Sequence, residues 1–366
     1  MPIYMDRHDV SNTVTAENVA QLHHQDLKIQ HKFECRGLTY WFDEKRKIAF
    51  CLVEAPNEEA IVEMHRQAHG EVPNQIIEVD IAVVESFLGR IEDPESEHRE
   101  ALKIIDEPAF RIIMITGFDD CAFNTGKNKP PNLAQYLKSM GNVFGNFDGR
   151  IVKQQQYNFL ISFKSVSKAI RCAIEIQKHF SERCKANDCS QLSLKTGICP
   201  GIPFSGKESF FKDSVQMAKR LYCISDSKMV VSHEVKMLYS DENPDVPLDR
   251  ELFLLLDPSD EKFINSLMTY MEENWQNPNL QLSDIESFLG SSKSQVYRKL
   301  KSLTGTSPNN FIKNYRLQNA FELIKNQIGN ISEVAFQVGF NSPSYFAKCF
   351  HKRYGILPSD LLQVIE

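Results

Sequence analysis

Seven of the ten histidines of the 366-residue chain lie within the first 98 residues. His65 and His69 stand four apart in a helical pattern, which puts both imidazoles on one helix face. Two neutral imidazoles so placed suit a borderline transition metal such as nickel or zinc. His8, at the end of a short apolar strand pattern, is positioned to add a third nitrogen. Surface histidines that share no ligand are the alternative, and spacing alone favours that alternative.

A second constellation is basic. Val296, Leu300 and Leu303 recur at helical spacing and turn inward, so Lys293, Ser294, Arg298 and Lys301 point outward. Phe346 and Phe350 do the same further on and leave Ser344, Lys348 and Lys352 outside. An exposed face of Arg, Lys and hydroxyl residues suits a major groove, where Arg bonds a guanine edge and Lys or Ser holds phosphate. With Tyr297 and Pro343 added, these residues form the candidate DNA-binding set. A helical bundle with an ordinary solvated face is the competing reading.

Repetition argues against that bundle. Leu282-Ser283-Asp284-Ile285 is echoed by Ile331-Ser332-Glu333-Val334, Gly290 by Gly339, and Val296-Tyr297 by Tyr345-Phe346. Leu300 is matched by Phe350, and Gly305 with Pro308 by Gly355 with Pro358. The offset is 49 residues and slips to 50 near the end. Each copy reads as a short helix, a glycine break and a second helix opened by polar caps, Ser291-Ser292 or Asn341-Ser342.

These residues carry a family resemblance. Ser292 to Lys301, Gly305-Thr306-Ser307-Pro308, Phe311-Ile312, Arg316-Leu317, Ala320, Val334-Ala335, Val338-Gly339-Phe340, Pro343-Ser344-Tyr345-Phe346 and Phe350 closely resemble the DNA-binding domain of AraC/XylS-type regulators, over about residues 262–364. The resemblance implies two helix-turn-helix units joined by a rigid helix. Such units enter successive major-groove turns on one DNA face, roughly 34 Å apart.

The net charge of −6 looks wrong for a DNA binder until it is divided along the chain. From Lys262 onward 11 Lys and Arg meet 8 Asp and Glu, a net of +3, whereas residues 1–261 carry 31 against 40, a net of −9. So modest a basicity implies few phosphate contacts per protomer and favours a homodimer or paired sites. No segment reaches the roughly 20 apolar residues of a membrane span, and Met1 to Asp9 lacks the pattern of a signal peptide. Nine cysteines without a C-x-x-C pair suggest reduced thiols, and a cytoplasmic location is expected.

The histidines need elements to hold them. A strand at Ile3 to Arg7, a helix from Thr15 to Lys32, a hairpin of Gly37 to Phe42 and Ile48 to Glu54, a helix from Asn57 to His69 and a strand at Gln75 to Val79 give the order βαββαβ, that of an α+β ferredoxin-like sandwich. Tyr4-Met5-Asp6-Arg7-His8-Asp9, Leu38 to Asp43, Cys51 to Pro56 and His65 to Gly70 resemble a family of small bacterial ferredoxin-like proteins with a nickel-binding member. That resemblance covers about residues 1–82 and implies a dimerising sandwich with a metal site. The nominated ligands are His8, His65 and His69.

Residues 86–107 are charged and read as a linker. An α/β unit follows: a strand at Phe110 to Ile115, a helix near Leu133 to Phe144, a hairpin through Gly149 to Lys153 and Phe159 to Phe163, and a helix from Ser167 to Cys184. A strand at Gln191 to Ile198, a helix at Asp213 to Cys223 and a strand at Met229 to Ser232 close it. This order, with Thr196-Gly197-Ile198, Ala218-Lys219-Arg220-Leu221 and Val230-Val231-Ser232, resembles the class III nucleotide cyclase fold. Where that family carries two metal-binding aspartates, this chain has Met114 and Tyr157, which cannot hold Mg²⁺. Its asparagine is Gln216 here, and Arg220 alone matches. The resemblance thus implies a degenerate cyclase, left to bind a small ligand or to pair protomers.

The expected multidomain organisation is therefore 1–85 ferredoxin-like, 86–107 linker, 108–240 degenerate cyclase-like, 241–261 linker, and 262–366 an all-α double helix-turn-helix domain, whose first helix runs from Lys262 to Trp275 with Ser259 or Asp260 as cap. The expected function is a non-enzymatic, sequence-specific transcriptional regulator of AraC/XylS type with no catalytic residues. Its candidate gate is nickel, another divalent transition metal, or a small ligand. Its partners would be a double-stranded DNA operator, a second copy and, for an activator, RNA polymerase, with no membrane. A nickel storage or buffering protein is the alternative; a cyclase comes third.

Overall fold

The computed structural model describes residues 1–94, 102–118, 133–155, 157–187, 193–204, 210–226 and 228–365. Along the chain an N-terminal α/β unit, a sheet-rich middle and a helical C-terminal region follow one another.

The first unit comprises β1 (Ile3–Asp9), α1 (Ala16–Ile29), β2 (Arg36–Asp43), β3 (Ile48–Glu54), α2 (Glu58–Ala68), β4 (Gln75–Glu78) and α3 (Ile81–Leu88). Thr15 and Asn57 cap α1 and α2 through their side chains. The four strands pair antiparallel in the order β2-β3-β1-β4. Alternation along the strands divides their apolar residues between two cores. Tyr4, Tyr40, Phe42, Cys51 and Val53 pack with Val19 of α1 and with Ile61 and Met64 of α2. Met5, Trp41, Phe50 and Leu52 face the other way, into a core shared with the middle unit. A sheet covered on both faces explains why β2 and β3 are apolar almost throughout.

The helix α3 overlaps the start of the expected 86–107 linker, and residues 95–101 lie outside the described residues. Arg111, fully buried, donates from Nε to Phe87 O at 3.2 Å and from Nη2 to Leu88 O at 3.0 Å, and pairs with Glu107 at 3.0 Å. One guanidinium thereby satisfies the carbonyls at the end of α3.

The middle unit holds β5 (Arg111–Gly117), α4 (Leu133–Asn146), β6 (Arg150–Gln155), β7 (Asn158–Phe163), α5 (Val166–Asn187), β8 (Lys195–Gly201), α6 (Lys212–Ile224), β9 (Met229–Val231), α7 (His233–Glu242) and β10 (Phe253–Leu255). Its sheet runs β10-β9-β8-β5-β7-β6. The stretch 241–261, expected to be a linker, supplies β10, which pairs parallel with β9. The expected start of β8 at Gln191, like Gln156, falls outside the described residues.

The C-terminal region consists of α8 (Pro258–Asn274), α9 (Leu282–Leu289), α10 (Lys293–Thr304), α11 (Pro308–Lys325), α12 (Ile331–Gln337), α13 (Pro343–Tyr354) and α14 (Pro358–Ile365). The first of these starts four residues before Lys262. Its cap is Asp257, which accepts from Asp260 N at 2.8 Å, and Pro258 opens the first turn. Arg220 of α6 grips this helix: it donates to Asn265 at 3.1 Å, to Thr269 at 2.9 Å, and through two nitrogens to Glu272 at 3.2 and 2.8 Å. Gln216 donates to Glu272 at 2.7 Å.

Candidate nucleic-acid interface and metal centre

Two helix pairs, α9 with α10 and α12 with α13, flank the connecting helix α11. At the start of α10 the Gln295 side chain accepts from Ser292 N at 3.0 Å. Asn330 and Glu333 exchange reciprocal bonds of 2.9 and 3.0 Å at the start of α12. Both second helices end at a glycine in the left-handed region, Gly305 and Gly355.

The second helices are each 12 residues long and begin 50 residues apart. Val296 therefore corresponds to Phe346, both fully buried, and the match of Val296-Tyr297 with Tyr345-Phe346 is overturned. The slip lies in the turn. One residue, Ser291, separates Gly290 from the cap Ser292, whereas Phe340 and Asn341 separate Gly339 from the cap Ser342. Gly339 has φ +80, and a Cβ there would stand 2.9 Å from Gln276 O, so glycine is required on both counts.

Lys293, Ser294, Tyr297, Arg298 and Lys301 are exposed on α10, as are Ser344, Lys348 and Lys352 on α13. Pro343 is half-buried at the first position of α13. Lys301 Nζ donates to Gly305 O at the end of its own helix. Lys299, not among the expected contacts, is turned away: it donates to Ser259 O at 2.9 Å, pairs with Asp260 at 3.4 Å, and lies over the Phe263 ring.

In the N-terminal unit, Asp26 Oδ1 lies 3.1 Å from His65 Nδ1 and 3.1 Å from His69 Nε2, and the two nitrogens are 3.2 Å apart. All three side chains are buried. Asp26 Oδ1 lies within ion-pair distance of both rings, and the two ring nitrogens lie within hydrogen-bond distance of each other. A cation bound at about 2.1 Å separates neighbouring donors by about 3.0 Å in an octahedron and about 3.4 Å in a tetrahedron. The triangle fits that range, and its nitrogen and oxygen donors suit nickel or zinc.

His8 stands beside this triangle, not in it. Asp6 comes between: its Oδ1 is 3.2 Å from His8 Nε2 and its Oδ2 is 3.0 Å from His65 Nε2. Asp6, His8 and Cys51 form a second group of metal-capable atoms. A cavity of about 440 Å³, lined by His8, Asp26, Cys51, His65 and His69, opens onto both groups.

Charge explains the resting state. Burial alone would lower the His65 pKa, but bonds to Asp26 and Asp6 outweigh it and push it up to about 10. Burial likewise opposes ionisation of Asp6, and His8 and His65 reverse this, holding its carboxyl well below the usual range. His69 Nδ1 accepts from Glu71 N at 3.1 Å. Sequence reasoning missed Asp6 and Asp26. Asp6 is two residues from His8 on one strand, hence on the same side, and a period-2 reading would have flagged it.

Comparison with known proteins bears on both sites. Residues 287–363 match a helix-turn-helix domain family, and residues 4–79 match the family of nickel responsive proteins like SCO4226. The transcriptional activator RhaS of Mannheimia succiniciproducens is 39% identical over 66 residues, 18% of this chain and 25% of that protein. The regulator ExsA of Pseudomonas aeruginosa is 29% identical over 126 residues, 34% of this chain and 44% of that one. Histidine kinase P4 of Formosa agariphila is 36% identical over 100 residues, 27% of this chain. The chain spans only 7%, 25% and 38% of the first relatives. The solved structure of SCO4226 from Streptomyces coelicolor covers 21% of this chain and 94% of its own at 28% identity, with a TM-score of 0.20. The C-terminal region thus contains a helix-turn-helix domain similar to those of transcriptional regulators, and the N-terminal unit is SCO4226-like. No described helix is long and apolar enough to cross a membrane.

Proposed function

We propose that the chain is a sequence-specific transcriptional regulator whose DNA affinity is set by a divalent transition metal, nickel foremost, held by Asp26, His65 and His69. The observation that carries the first half is the pair of outward basic faces on α10 and α13, built on one connecting helix. The base-reading side chain of the first unit is Arg298, with Lys293, Ser294, Tyr297 and Lys301 around it; Pro343, Ser344, Lys348 and Lys352 serve the second.

The metal supplies positive charge that takes the place of protons on the rings. Binding would require His65 to lose its Nδ1 proton and His69 to carry its proton on Nδ1 in place of the bond accepted from Glu71 N, while Asp6 keeps the other edge of His65 in position. A route to the reader exists: Arg7 donates to Phe204 O at 3.2 Å, Phe50 packs on Phe204 at 5.4 Å, and the middle unit grips α8 through Arg220. A metal shifts DNA affinity only if it binds two arrangements of these units unequally.

The strand order β2-β3-β1-β4 supports a ferredoxin-like N-terminal domain. We read the middle as a degenerate cyclase-like domain. Met114 is buried in the core and the Arg220 guanidinium is committed to α8, so neither is available for phosphoryl chemistry. The proposed domains are 1–85, 108–240 extended by β10, and 262–366 extended back to the start of α8. Homodimers, cytoplasmic location and, for activation, contact with RNA polymerase belong to the same reading. Genome-wide mapping of bound DNA with and without nickel tests it: sites that appear or vanish with the metal support it. Metal binding with no change in DNA occupancy favours storage instead.

A further inference from the structure

Between the segment that leads into α9, at Pro278 and Leu280, and the start of α13, at Asn341, Ser342 and Tyr345, runs a groove of about 470 Å³ whose floor includes Lys313 and Arg316 of α11. None of its lining residues is Asp or Glu. Lys313 Nζ bonds only the neutral Asn310 amide, at 2.9 Å. Arg316 donates to the carbonyls of Trp275 at 2.8 Å and Asn277 at 2.6 Å, and burial alone lowers its pKa. Among the described residues neither cation has a carboxylate partner, so both charges stay uncompensated.

We infer that this groove is a third DNA contact, a seat for the phosphodiester backbone that crosses between the two stretches of major groove. The inference rests on the proposed reading of α10 and α13. Geometry dictates the occupant. When two helices enter successive major-groove turns on one face of a duplex, the surface between them must meet the intervening minor groove and its phosphate strands. A carboxylate-free groove with two cations and several amide and hydroxyl donors complements phosphate oxygens and reads no bases. The starts of α11 and α13 both border it, and the positive ends of their dipoles favour an anion there.

The experiment uses the full chain and a duplex that it enriches from a random library. Lys313 is half-exposed, so Lys313→Ala should fold normally. One lost phosphate contact lowers the slope of log affinity against log salt by about 0.9 and costs roughly fivefold at about 0.15 M salt. The loss should be equal on every sequence tested, and Lys313→Arg should restore the slope. Ethylation of phosphates between the two contacted major-groove turns should block binding by the unaltered protein. A wild-type slope in Lys313→Ala, together with tolerance of those ethylated phosphates, overturns the inference and leaves the readers on α10 and α13 standing. A chain that enriches no sequence overturns the regulator reading and this inference with it.

Discussion

The two helix-turn-helix pairs are alike in pattern and unlike in attachment. Val296, Leu300 and Leu303 of the first belong to a core that continues through α8 and α6 to Trp41 and Phe50 of the N-terminal sheet. Phe346 and Phe350 of the second sit in a separate cluster with Leu317, Phe321 and Val334. The first reader is therefore part of the body of the molecule, and the second is carried by α11. A signal arising in the N-terminal unit would reach the first reader through packed side chains of one core, and the second through α11, the clamp at Arg316 and Trp275, which packs against both clusters.

The largest test of that difference is cavity formation. Phe346→Ala should cost about 3–5 kcal/mol and Leu300→Ala about 2–5. Hydrogen exchange should show the first change opening α12 and α13 alone, and the second spreading into α8 and α6. Identical patterns of deprotected amides would erase the distinction.

Next in size is the grip on α8. Glu272→Ala removes three hydrogen bonds, two from Arg220 and one from Gln216, and should cost about 2 kcal/mol. Exchange should rise in α8 through α10 and stay unchanged in α13; a rise confined to α13 contradicts the assignment of the first reader to the body.

On DNA, Arg298→Ala should weaken specific binding by about 1–3 kcal/mol and relax one base position in one half-site, leaving the half-site read by α13 as it was. A binding selection with unaltered preference removes Arg298 from the interface.

The mildest test is pH. The folded His65 pKa of about 10 exceeds its unfolded value, near 6.5, so its bonds to Asp6 and Asp26 stabilise the fold fully below about pH 6.5 and fade as pH rises to 10. Metal must displace that proton. Nickel affinity should thus climb about tenfold per pH unit, 1.4 kcal/mol, between about 6.5 and 10. Calorimetry in two buffers of different ionisation enthalpy would register the released proton, and equal heats would refute it. The His65→Ala/His69→Ala variant should lose both the metal and any nickel effect on DNA.

The two helix pairs were legible because their information is local. Caps, glycine breaks and 3.6-residue periodicity lie within a dozen residues of one another and survive without tertiary context. The place of the register slip was not legible, because one added turn residue leaves both flanking patterns intact and only packing tells Tyr345 from Phe346. β10 is three residues long, too short for a period. His65 and His69 were legible as neighbours on one helix. Asp26 was not, since it reaches them from α1 across the fold. His8 was recognised as near, yet Asp6 stands between it and His65.

One helix carries an obligation that outlives any single ligand. Phe263, Ile264, Leu267, Met268 and Met271 make α8 a wall of the common core. A chimera that grafts this reader onto a foreign sensor has to bring a matching cover for α8, or the graft will present an oily stripe to water and stick to its own kind.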